Sequence, residues 1–145
     1  MNETIRRFGY PASLVAEYQN WVVLLRPAQP TLGSLVLAAK SDAGAFSELE
    51  AAAFAEMGKV IADIETALRT AVNYARINYM MLMMVDPYVH FHVLPRYEGE
   101  RSAAGVTVAD AGWPKVPAVN EAVALGPSQV TDLVDWLRSC WPSAR

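Results

Sequence analysis

Asp86-Pro87-Tyr88-Val89-His90-Phe91-His92-Val93-Leu94-Pro95-Arg96 is the stretch whose reading decides the rest. It holds both histidines of the 145-residue chain, two positions apart. Apolar and polar residues alternate from Val89 to Val93, which is the period of a half-buried strand. Val89, Phe91 and Val93 then face one side, and Tyr88, His90, His92 and Leu94 the other. Pro95 cannot donate to a ladder, so it ends the strand or marks an edge. Two imidazoles on one strand face suit metal binding, phosphate binding or nucleophilic chemistry. The neighbouring sequence has to decide among them.

Just upstream, Ile77 to Val85 carries four of the six methionines and is too short for another globular helix. It reads as a buried strand over 78–85 whose methionines fill the core. Asp86-Pro87 fits the first two positions of a tight turn. The two strands then form a hairpin with Met83 or Met84 across from His90. Further upstream, Ser47 reads as an N-cap with Glu50 as its box partner. Phe54, Met57, Ile61, Ile64, Leu68 and Val72 follow at spacings of three and four, which predicts a helix over 47–72. Glu56, Lys59, Asp63 and Arg69 fall on its outer face.

Trp21 to Leu25 is aromatic, β-branched and wholly apolar, so it reads as a central strand. A loop with Pro27, Pro30 and Gly33 leads to a second strand over 34–39, antiparallel to the first. Leu14 to Ala16 is a short candidate strand, and residues 1–12 read as a lead-in. After Arg96, residues 97–102 look polar and turn-like, and Val106-Thr107-Val108 reads as a short strand. Pro127-Ser128 opens a last helix with Val130, Leu133, Val134 and Leu137 as its stripe. Trp136 and Trp141 seal that helix to the body or meet another subunit. The whole is a single α+β domain over 1–145: an antiparallel sheet with a long helix packed on it and a C-terminal helix.

Composition narrows the partners. The net charge is −3 with no basic run, so a nucleic-acid backbone is not the expected partner. Cys140 is the single cysteine, which excludes an internal disulfide and suits a reducing cytoplasm. The first residues lack the apolar stretch of a secretion signal, and no run reaches membrane-spanning length. A zinc or iron site needs three or four ligands. There is no third histidine, and Cys140, Glu98 and Asp86 repeat no metal spacing, so no metal is expected. The remaining readings are a satisfied strand face and a nucleophile. A neutral imidazole attacks phosphorus well when one ring nitrogen is fixed as a donor to a backbone carbonyl and the other is left free.

His90-Phe91-His92-Val93-Leu94-Pro95-Arg96 resembles the end of the histidine triad (HIT) signature, His-φ-His-φ-His-φ-φ, often followed by Pro-Arg. The resemblance extends over roughly residues 13–97, through Trp21 to Leu25, Leu32-Gly33-Ser34 and the long helix. It implies a HIT-like fold, a homodimer, no cofactor, and a nucleotide as small-molecule partner. It also implies hydrolysis or nucleotidyl transfer at the α-phosphate of a nucleoside phosphate compound, such as a dinucleoside polyphosphate. His90 aligns with the nucleophile that forms a phosphohistidine, and His92 with the last triad histidine near the α-phosphate. Tyr88 stands at the first triad position. Tyr88, Arg96 and Ser34 are the expected substrate contacts. Asp86-Pro87 replaces the usual Gly-rich loop with its Gln and Ser/Thr, and Leu25 stands where a ribose-contacting Asn is usual. These departures leave a second reading open, a low-turnover nucleotide-binding or interaction protein on the same fold.

Overall fold

A five-stranded antiparallel sheet carries the histidines. The computed structural model describes residues 1–142. The strands are β1 (Leu14–Glu17), β2 (Trp21–Leu25), β3 (Ala28–Gln29), β4 (Leu35–Ala39), β5 (Arg76–Met80), β6 (His90–Arg96), β7 (Glu100–Ala103), β8 (Val106–Ala109) and β9 (Val123–Ala124). The helices are α1 (Glu3–Arg7), α2 (Ala51–Val72) and α3 (Pro127–Cys140). The main sheet runs β1-β2-β4-β6-β5, while β3 pairs with β9 and β7 with β8. This is the expected α+β arrangement, with α2 as the long helix and α3 as the C-terminal one. Among the described residues, no helix is long and apolar enough to cross a membrane.

Both faces of the sheet are covered, which is why β2 and β4 are apolar throughout. Trp21, Val23, Leu25, Leu35, Leu37 and Val93 pack with Ile64 and Leu68 of α2 and Leu133 and Leu137 of α3. The Trp21 indole N–H donates to the Ala53 carbonyl at 2.8 Å and ties β2 to α2. On the other face, Val22, Leu24, Val36 and Ala38 pack with Ile5 of α1. Val36 lies across from His92 and Ala38 from His90, so the histidines belong to this second face.

The long helix starts later than its sequence suggests. Ser47 does not cap it. Phe46–Glu48 form a 3-10 turn, Glu50 is the N-cap, and the helix runs from Ala51. Phe46 packs 5.6 Å from both Phe54 and Phe91, and this aromatic contact holds the chain in the turn before the helix begins. Asp63 is buried rather than outward. It accepts hydrogen bonds from the Tyr18 hydroxyl at 2.8 Å and from Lys59 at 3.1 Å. Glu56 also turns to the sheet, accepting from the backbone N–H groups of Gln19 and Asn20.

The expected strand over 78–85 is corrected to Arg76–Met80. Asp86-Pro87 is not a tight hairpin turn, because residues 81–89 form one long connection in which Met83 adopts φ +52°. The chain leaves the sheet because α1 holds it. Arg7 pairs with Asp86 at 3.2 Å, and the Tyr88 N–H donates to the Thr4 hydroxyl at 3.4 Å. Met80 therefore pairs with His92, and neither Met83 nor Met84 faces His90. Nor is the methionine run a plain core segment. Met81 and Met83 pack inward, but Leu82, Met84 and Val85 are 50%, 85% and 79% exposed.

Pro95 lies inside β6, beyond the last β4 pair at Leu35 and Val93, where the β4 ladder has ended. Gly33, at φ +91°, passes so close that a Cβ there would sit 3.5 Å from Pro95 and 3.2 Å from Leu68. Of residues 97–102, expected as turn, 100–102 lie in β7; Ala104 and Gly105 at φ +51° and +77° close its hairpin with β8.

Candidate active site

The two imidazoles sit 5.2 Å apart, centroid to centroid, with their planes at 81°. His90 is only 3% exposed, and its Nδ1 lies 2.8 Å from the Tyr88 backbone carbonyl. A carbonyl can only accept, so Nδ1 donates, and in the neutral ring Nε2 carries the lone pair. His92 is half-buried and has the reverse arrangement. Arg26 Nε donates to His92 Nδ1 at 3.3 Å, which leaves the His92 proton on Nε2. Burial, then the Arg26 charge, then His90 push the His92 pKa down to about 4, against a smaller upward pull from Asp86. His92 is therefore neutral at pH 7. Burial also lowers the pKa of Arg26, though a guanidinium stays charged.

A roof covers the pair. The Phe8 ring lies 5.6 Å from His90 and 5.7 Å from His92, edge-on to the latter. Phe8 is the C-cap of α1, and α1 is anchored at its start by Asn2. The Asn2 amide donates to the carbonyls of Ala39 and Ser41, and its oxygen accepts from the Ile5 N–H. Phe8→Ala is expected to speed carbethoxylation of His90 by diethyl pyrocarbonate several-fold, because truncation removes the ring that packs over it. An unchanged rate, followed by mass spectrometry, would show that Phe8 is not what shields it.

No protein-family model matches the sequence, and no curated protein matches it either. Solved structures do match it in fold. A histidine triad protein from Sinorhizobium meliloti is 18% identical with a TM-score of 0.73, covering 97% of this chain and 95% of that one. Another, from Bradyrhizobium japonicum, is also 18% identical with a TM-score of 0.72, covering 97% and 96%. The diadenosine triphosphate hydrolase of Plasmodium falciparum is 8% identical with a TM-score of 0.63, covering 89% and 76%. The chain has the histidine triad fold.

Within this histidine triad fold, the structure brings His90 and His92 together but not the other expected contacts. Tyr88 meets His90 through its backbone carbonyl. The residue itself borders a polar recess with Asn2, Glu3, Arg6, Lys40 and Asp42. β6 begins at His90, so the alternation that would set Tyr88 beside the imidazole does not reach it. Ser34 is fully buried and its hydroxyl donates to the Thr31 carbonyl at 2.7 Å. That bond shapes the loop before β4 and commits the hydroxyl within the chain. Arg96 is buried at the far end of β6. Its Nε and Nη2 donate to the two Asp110 oxygens at 2.7 and 3.0 Å, and Nη1 to Asn78 at 2.8 Å. These bonds tie the Arg96 guanidinium to Asp110 and Asn78, away from the two imidazoles.

Two site residues escaped sequence reading. Arg26 follows β2 two positions after Leu24, which packs on the histidine face, and the same alternation carries it to that face. That signal was present in the sequence. Phe8 had none, since its place depends on α1 folding back across the sheet. Among the described residues, no group of three or more His, Cys, Asp or Glu is placed to hold a metal.

Proposed function

We propose that the protein belongs to the histidine triad family and hydrolyses a nucleoside phosphate compound at its α-phosphate, with His90 as nucleophile. The observation that carries this reading is the His90 Nδ1 contact with the Tyr88 carbonyl, which leaves a free Nε2 lone pair on a ring 5.2 Å from that of His92. In the first step the His90 Nε2 lone pair forms a bond to phosphorus. The bond from phosphorus to the leaving group breaks, and its electron pair goes with the leaving group. In the second step a water oxygen attacks phosphorus, the P–N bond breaks, and the water gives up a proton to solvent. The His92 N–H donates to a phosphoryl oxygen throughout. The diadenosine triphosphate hydrolase activity of the Plasmodium falciparum protein supports this substrate class by analogy of fold.

A second reading has its own observation. His90 is covered by Phe8, which suits a nucleotide-binding protein with little turnover on the same scaffold. Single-turnover reaction with an α-labelled dinucleoside polyphosphate separates the two. An acid-labile, alkali-stable label on His90 that decays at the turnover rate supports the enzyme. Stoichiometric binding with no such label supports the binding protein.

The same reading includes a symmetric homodimer in a reducing cytoplasm. Leu82, Met84 and Val85 form an exposed apolar cluster just after the edge strand β5, and such clusters favour association. Light scattering at tens of micromolar, a concentration of the order a modest dimer needs, should give twice the chain mass. A monomer mass there counts against the dimer.

A further inference from the structure

We propose that Arg26 is a specificity-determining residue. By holding His92 as a neutral Nε2–H donor, it restricts the site to leaving groups that depart as stable anions, and so to phosphoanhydrides over phosphoramidates. The proposal rests on the reading of His90 as nucleophile.

The argument begins with donors and acceptors. Arg26 Nε carries a hydrogen and has no lone pair, so its 3.3 Å contact with His92 Nδ1 requires that nitrogen to be unprotonated. Protonating His92 would set two N–H groups head to head and add a second positive charge beside the guanidinium. The other groups around His92 do not offset this. His90 stands on one side of it, and Asp86 of the 81–89 connection is engaged by Arg7 of α1. The residues paired with His92 on the adjacent strands, Val36 and Met80, carry no charge. The downward shift of His92 fits this geometry.

Arg26 is held in place by its loop. Its Nη1 donates to the Ala28 carbonyl at 2.7 Å. The buried Gln29 amide donates to the carbonyls of Arg26 and Ser34, and its oxygen accepts from the N–H groups of Gly33 and Ser34. Every polar atom of Gln29's side chain is thus used to fix the turn that presents Arg26.

A neutral imidazole N–H gives hydrogen bonds but scarcely gives up its proton. When His90 displaces a phosphate from an anhydride, the P–O electron pair stays on the departing phosphate oxygen, which is stable as an anion at neutral pH. No proton transfer is needed. An amine leaving group must gain a proton as the P–N bond breaks, and His92 cannot supply one while Arg26 occupies Nδ1.

The test compares kcat/KM for diadenosine triphosphate and for adenosine 5′-phosphoramidate in wild type, Arg26→Met and Arg26→Lys. The range is from about pH 5 to 8, where an ordinary histidine titrates. Wild type should favour the anhydride by more than about tenfold, with phosphoramidate turnover flat in this range. In Arg26→Met the ratio should fall at least about tenfold, and phosphoramidate turnover should rise as pH drops and His92 takes a proton. Arg26→Lys should lie between them. A wild-type enzyme that forms the His90 intermediate yet cleaves both substrates equally would overturn the proposal and leave the nucleophile intact, and this result needs no variant to fold. An unaltered ratio in Arg26→Met would do the same. No intermediate and no turnover of either substrate would overturn both.

Discussion

His90→Ala is expected to remove essentially all turnover while nucleotide affinity stays within a few-fold. Covalent displacement needs the Nε2 lone pair, and the site holds no substitute for it. His92 lies 5.2 Å away with its Nδ1 engaged by Arg26 and its Nε2 protonated, so it cannot attack in its place. If His90 were only a polar contact to the phosphate, its loss would cost a factor of about ten to a hundred. Turnover and nucleotide Kd measured on one His90→Ala preparation decide the matter. Activity above roughly a tenth of wild type would rule out the covalent route by that arithmetic. His92→Ala should be milder, because it removes a hydrogen-bond donor and not the bond-forming atom.

Asp110→Ala is expected to destabilise the fold by about 3–5 kcal/mol, the range for removing one partner of a buried ion pair. The Arg96 and Asp110 side chains are 4% and 1% exposed, so the abandoned guanidinium would have little access to water. The loss extends further, since Asp110 also accepts from the Tyr97 N–H at 3.1 Å. Urea unfolding checks this. A change under about 1 kcal/mol, typical of a surface pair, would mean that water reaches the site. The paired replacement Arg96→Met with Asp110→Leu should recover much of the loss, because it leaves no charge stranded.

These two sites differ in how far the sequence revealed them. β2 and β4 were legible because five consecutive apolar residues with β-branched members have few other uses, and the structure ends β2 at the expected residue. α3 was legible because Pro127 opens it and Leu133, Val134 and Leu137 recur on its buried face. The pairing of His90 and His92 on one face followed from alternation alone. The failures share a physical origin, which is contact between segments distant in sequence. The Met81–Val85 run has strand composition, but Arg7 and Thr4, about eighty residues earlier, draw the connection off the sheet. Asp63 has the spacing of a solvated face, but Tyr18 meets it there. Arg96 read as a substrate contact beside the motif, and Asp110 is too far along the chain for any local pattern to reveal their pairing.

The opposed orientations of the two imidazoles make the protein unusually simple to observe by nitrogen NMR. It contains only two histidines, and both lie in this site. One holds its hydrogen on Nδ1 against the Tyr88 carbonyl, and the other holds it on Nε2 opposite Arg26. The two tautomers have distinct patterns of long-range nitrogen–proton couplings, so each ring can be recognised without assigning any other residue. A sample labelled at histidine alone would therefore return a spectrum that is nothing but the site, with one ring of each kind. Two rings of the same kind would show that one of these hydrogen bonds is not kept in solution.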